Sequence, residues 1–156
     1  MAVNITITGM AELEAGFARL GKVPQVIVNR GAVAAGKIML AAAKRYAPED
    51  TGALRRGLIN VKEKTSRPGK KVVQVSLAAD MNDTFVKRYG PNKSLRAYYP
   101  ASQEWGWTTG KGTPHERHHQ GWHYLREALD FNKTELEETF VKVAQQEIDK
   151  ALASRR

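Results

Sequence analysis

All four histidines of the chain fall within nine residues, HERHHQGWH, at positions 115, 118, 119 and 123. Two imidazoles four residues apart on a helix can approach one metal ion, so a helical reading pairs His119 with His123 and offers Glu116 as a further ligand. Gly121 interrupts that pair, no HExxH arrangement supplies a positioned glutamate, and no cysteine can assist. Polar loop or assembly contacts are the plainer reading, and no metal ligand is assigned.

Other candidate chemistry fails on spacing. GWTTGKG, Gly106 to Gly112, echoes a phosphate-binding loop, but three residues separate Gly106 from Gly110-Lys111 where four are needed, and Gly112 stands where Ser or Thr would meet magnesium. Glu49, Asp50 and Glu104 supply carboxylates without the spacing of a catalytic pair, and no serine lies in a nucleophile elbow. The chain is therefore read as no enzyme, with no catalytic residue and no cofactor. Charge offers more. The 25 Lys and Arg against 16 Asp and Glu give a formal net charge of +9. From Lys37 to Lys71 ten basic residues face three acidic ones, whereas 132–156 balances five against five. Arg55, Arg56, Lys62, Lys64, Arg67, Lys70 and Lys71 have the charge to meet phosphates or acidic protein faces, and Tyr98, Tyr99, Trp105 and Trp107 have faces on which bases can stack. The two sets are remote in sequence and carry no recognised nucleic-acid-reading motif. Solvated surface for the cations, and anchoring into a core or a neighbouring subunit for the aromatics, are the competing readings.

At 156 residues the chain reads as one domain, 1–156, long enough that folding would bury roughly 70 % of its extended surface. Its 42 % hydrophobic and 26 % charged residues are those of a globular protein, not of a disordered or fibrous one. Lack of cysteine excludes disulfides and thiolate sites and fits a reducing compartment. Met1 to Gly9 alternates polar and apolar residues and does not resemble a secretion signal. The longest mainly apolar stretch, Ala32 to Ala43, is broken by Lys37 and falls short of the roughly 20 residues a spanning helix needs, so no membrane partner is expected.

These residues need elements to position them. Val3, Ile5 and Ile7 alternate as a strand, and Met10, Leu13, Phe17 and Leu20 recur at helical spacing up to Gly21. A second helix should start at Pro24 and run to about Tyr46, with a stripe of small residues that admits a close neighbour. Pro48 disfavours helix at Ala47, and Asp50, Thr51 and Gly52 can turn the chain, Gly52 with positive φ, so that Leu54 re-enters the core. Leu58–Glu63 and Val72–Leu77 read as an antiparallel hairpin. From about 80 to 121, Gly and Pro are so frequent that the segment reads as long loops around one short strand or helix near Tyr98 to Trp105. A final helical pattern covers about 122 to 154, where Asn132 and Glu135 form a capping pair that predicts a kink or restart. The sum is an α+β fold: a small antiparallel sheet packed against a long helix in the N-terminal half and a C-terminal helix, with long loops.

Three segments, in order, resemble a family of tailed-bacteriophage tail-completion and head–tail joining proteins, the lambdoid siphophage type. AKRYAPEDTGALRRGL, Ala43 to Leu58, resembles its "AP.DTG.LR" signature through Pro48, Asp50, Thr51, Gly52 and Leu54. YYPASQEWGW resembles its "YA..VE.GT" element through Tyr98, Glu104 and Gly106, and GWHYLREALD resembles its closing segment through Leu125, Arg126, Ala128 and Leu129. The sequence departs from the family at Gly57, at Trp107, at Trp122-His123-Tyr124 and in the insertion carrying the histidines. The resemblance implies a structural virion protein of the neck, made in the host cytoplasm and assembled as a homo-oligomeric ring, commonly hexameric, around the DNA channel. Its implied partners are neighbouring neck and tail-tube proteins, with Arg55 and Arg56 expected to face a subunit or the channel. A basic nucleic-acid-binding module is the alternative.

Overall fold

The structure is a computed structural model that describes residues 21, 23–64 and 68–153. The expected strand at Val3–Ile7, the expected helix from Met10 to Leu20, and Arg67 lie outside the described residues.

The long helix expected from Pro24 is α1, Val23–Tyr46. Its small residues do what their size permits. A Cβ on Gly31 would lie 2.4 Å from the ring of Phe140, and one on Gly36 would lie 2.5 Å from Val73, so both neighbours rest on bare backbone. The helix closes as Ala47 N–H donates to Ala43 O over 2.9 Å, immediately before Pro48. Gly52 then takes φ 71°, the left-handed conformation that glycine reaches without a Cβ penalty. A one-turn helix α2, Ala53–Gly57, follows and inserts Leu54, which is 2 % exposed. The sequence reading places no helix between this turn and the strand from Leu58. The strands β1, Leu58–Lys62, and β2, Val73–Leu77, pair antiparallel with Leu58 opposite Leu77 and Lys62 opposite Val73, close to the expected hairpin.

The expectation of long loops from 80 to 121 is corrected. Helix α3, Asn82–Phe85, leads into β3, Val86–Tyr89, which pairs antiparallel with β4, Leu95–Tyr98. Helix α4, Tyr99–Trp105, separates that hairpin from a third, β5, Trp107–Thr109, with β6, Arg117–His119. The described residues thus hold three two-stranded antiparallel sheets where one is expected. Gly and Pro here sit at turns, Gly90, Gly106, Gly110 and Gly112 all with positive φ, so they punctuate short strands without dissolving them.

The single C-terminal helix expected over 122–154 is two, α5, Tyr124–Asp130, and α6, Lys133–Ala153, restarting at Asn132 as the capping pair predicts. The Asn132 side chain turns backward: its Nδ2 donates to Ala128 O over 2.8 Å and satisfies a carbonyl at the end of α5. Helix α6 lies along α1, and α5 packs beside it. Arg30 of α1 reaches Glu147 of α6 at 2.5 Å, and Lys150 reaches the same oxygen at 3.0 Å. Those two hydrogen-bonding cations, Lys150 first and then Arg30, hold the Glu147 carboxyl below its ordinary range.

The buried cluster joins Ala42, Ala43, Ala47, Leu54, Leu58, Tyr124 and Ala128. One earlier expectation changes here. At 24 residues, with its alanines and glycines extending the apolar character past Lys37, α1 is long and apolar enough by length and composition to cross a membrane; in this fold it lies against α6, α5 and the first hairpin.

Candidate functional site

Two places on the molecule gather the residues singled out above. The first is a junction where the three resembling segments meet. Helix α5 opens at His123, which has φ 51° and supplies no side-chain cap. Glu104, at the end of α4 and 4 % exposed, caps it instead: its carboxylate accepts from Leu125 N–H at 2.8 Å and Arg126 N–H at 3.3 Å. A negative group at a helix N-terminus satisfies open N–H groups and complements the helix dipole. The chain beyond Gly106 lies flat against the segment before α5. Trp122 N–H donates to Gln103 O at 2.6 Å, and a Cβ on Gly106 would lie 2.4 Å from His119 O. With φ 85° as well, position 106 admits only glycine without strain. The joint after α1 closes the other side, where burial, and then the Asp50 carboxylate, push the Tyr99 hydroxyl up. Burial, and then Glu104, do the same more strongly to Tyr124, which is 2 % exposed at the centre of the core.

Pro48, Asp50, Thr51, Gly52, Leu54, Glu104, Gly106 and Leu125 therefore belong to or border this packed junction, while Tyr98 lies at its rim with its hydroxyl 3.4 Å from Asn82 Oδ1. Arg55 and Arg56 fold back on it. Arg55 donates from Nε to Ala47 O at 3.1 Å and pairs with Glu49, and Arg56 donates to Thr51 O at 3.2 Å. The other described cations of the set, Lys62, Lys64, Lys70 and Lys71, stand at the far end of the first hairpin, where Lys71 Nζ donates to Glu63 O at 2.9 Å. One basic run in sequence becomes two places separated by the length of β1.

The second place carries cations that the sequence reading did not select. A cleft of about 710 Å³ opens between the second hairpin, α4 and the third hairpin. The period-2 alternation of β3 and β4 directs Lys87, Tyr89, Leu95 and Ala97 into it, and Trp107 and Lys111 line the opposite wall. Tyr89 is 53 % exposed and Leu95 50 %, so this lining is a surface and not a core. The other face of the hairpin sets Arg88 directly opposite Arg96, with Lys93 and Asp83 beside them. Like charges across a strand pair are unfavourable. Here they crown a turn in which Asn92 and Lys93 both take positive φ, 55° and 54°.

The histidines do not share a helix face. His118 and His119 lie on β6, bonded to Thr108 at 3.3 Å and Thr109 at 3.2 Å, and His119 stacks on Trp107 with ring centroids 4.7 Å apart. Among the described residues no three His, Asp or Glu side chains converge as metal ligands would. Trp105 instead lies outside, 66 % exposed, with the Arg126 guanidinium 5.9 Å from its ring centroid. No family model matches the chain, and neither a curated protein nor a solved structure matches it.

Proposed function

We propose that the chain is a structural virion protein of a tailed bacteriophage, a head–tail joining or tail-completion component that assembles as a ring at the neck around the DNA channel. The observation that carries the reading is the junction. Three stretches that resemble the neck family separately, up to about eighty residues apart, converge on one another through Glu104, Gly106 and Tyr124. Residues shared for the sake of a fold should be those whose replacement breaks the fold, and these have that character. Hairpins that leave Tyr89 and Leu95 half exposed suit a protein that meets neighbours. The test is genetic and visual. Particles made without this gene product should accumulate as filled heads and unattached tails, and labelled protein should sit at the neck of complete particles. Infectious particles assembled in its absence would end the proposal.

A basic nucleic-acid-binding module remains the second reading, favoured by Arg88 opposite Arg96 with Lys87 and Lys93 nearby. It requires binding to a DNA duplex that weakens steeply with salt and whose salt slope falls when these cations are removed. Binding that survives reversal of all four would dismiss it.

A further inference from the structure

The cleft between the second and third hairpins has an apolar, aromatic floor and a cation on each wall, Lys87 and Lys111. A partner for it needs an apolar projection flanked by acidic groups. The chain itself carries one. At the corner between α5 and α6 Phe131 is 70 % exposed, the highest fraction among the large hydrophobic side chains described. The same corner is acid-rich, with Glu127, Asp130, Glu135, Glu137 and Glu138 against Lys133 between positions 127 and 138, and with Arg45 of α1 beside Glu135 and over the Tyr46 ring. The Phe131 ring meets that of Tyr46 at 5.8 Å between centroids.

We infer that the hairpin cleft is the docking site for the α5–α6 corner of a second copy of this chain, with Phe131 laid against the paired Tyr89 and Leu95 while Asp130 and its acidic neighbours meet Lys87 and Lys111. Cleft and corner share no residue, so the contact is heterologous: each copy offers its cleft to one neighbour and its corner to the next. Head-to-tail contacts of that kind close into rings or extend into filaments. Complementary charge across them fixes orientation and rejects like faces. The inference rests on the ring expected of a neck protein, and supplies the two surfaces that would build it. A nucleic acid is the weaker occupant, because Trp107 already spends one face on His119 and Leu95 offers nothing to a base or a phosphate.

The experiment uses two variants of the full chain, one reversing the cleft, Lys87→Glu with Lys111→Glu, and one reversing the corner, Asp130→Lys with Glu138→Lys. All four side chains are exposed, and unchanged circular dichroism and melting will confirm that both variants fold. In sedimentation velocity the wild type should form closed oligomers, each variant alone should run as a monomer, and an equimolar mixture should recover oligomers, since the two reversed faces complement each other. Phe131→Ser should dissociate the wild type without altering its fold. Wild-type oligomers that ignore both reversals, or a mixture that stays monomeric, would overturn this inference and leave the neck reading standing. A monomeric wild type would overturn it too, and the imaging of particles then decides the neck reading by itself. If the cleft reversal leaves assembly intact and instead abolishes salt-sensitive binding to a fluorescent DNA duplex, the cleft belongs to nucleic acid.

Discussion

The junction around Tyr124 and the cleft between the outer hairpins are built on opposite terms. In the junction, glycines stand where backbones touch and a buried carboxylate closes a helix start: Gly106 lies against the backbone of His119 and Gly121, and Glu104 meets two N–H groups, while His123 Nδ1 is buried without a partner among the described residues. In the cleft, aromatic and aliphatic side chains remain half exposed, and the hairpin beside it sets arginine across from arginine. One region is packed against itself, whereas the other leaves its surface unmet. A protein that joins particular neighbours, as the proposed function requires, would divide itself in this way, because packing tolerates few residues and a docking surface tolerates many.

Substitutions can break or sharpen that contrast. The largest effect is expected at Gly106→Ala, where the new Cβ meets His119 O in a left-handed conformation. A loss of about 3 kcal/mol or more should appear as a melting temperature lower by roughly 10 °C, if the chain folds at all. Glu104→Ala removes the acceptor of two part-buried N–H groups and should cost about 1–3 kcal/mol in a denaturant titration. Glu104→Gln keeps one acceptor oxygen and should recover part of that. Gly52→Val places a β-branched residue at φ 71° and displaces the Arg56 guanidinium, 3.0 Å from the added carbon; about 1–2 kcal/mol is expected by the same titration. The smallest effect belongs to the cleft. Tyr89→Ser and Leu95→Ser should each change stability by no more than about 0.5 kcal/mol while altering association. A cleft variant as damaging as Glu104→Ala would mean that the hairpins are part of the core, and the contrast would collapse.

The same contrast explains what could be read in the sequence. Pro48, Gly52 and the small-residue stripe of α1 act through local backbone rules, so the end of the helix, the positive φ and the close packing were all visible. The first hairpin announced itself through the apolar alternation of β1 and β2. The second did not, because VKRY and LRAY present charged or exposed side chains on both faces and erase the period-2 signal. Three-residue strands such as WTT and RHH are too short to show any period. The spacing of His119 and His123 suggests a helix because four residues is a helical interval, yet the end of a strand and an irregular segment occupy it. Glu104 looked like a spare carboxylate. Its role depends on a helix that begins twenty residues later, and no local pattern encodes such a pairing. Arg55 and Arg56 were legible as charge, but that they turn back to Ala47, Glu49 and Thr51 follows from the joint, not from their spacing.

Helix α5 is seven residues long. A helix that short does not hold itself together in water, since nucleation fixes several residues for its first hydrogen bond. Its first turn is completed by a carboxylate from another segment, so its formation is conditional on α4 having arrived. The order of events on the ribosome suits this dependence, because Glu104 is synthesised before the helix that needs it. Folding of the C-terminal third should therefore lag behind α4, and replacing Glu104 should slow refolding as well as weaken the native state, whereas Gly52→Val should act chiefly on the rate of unfolding.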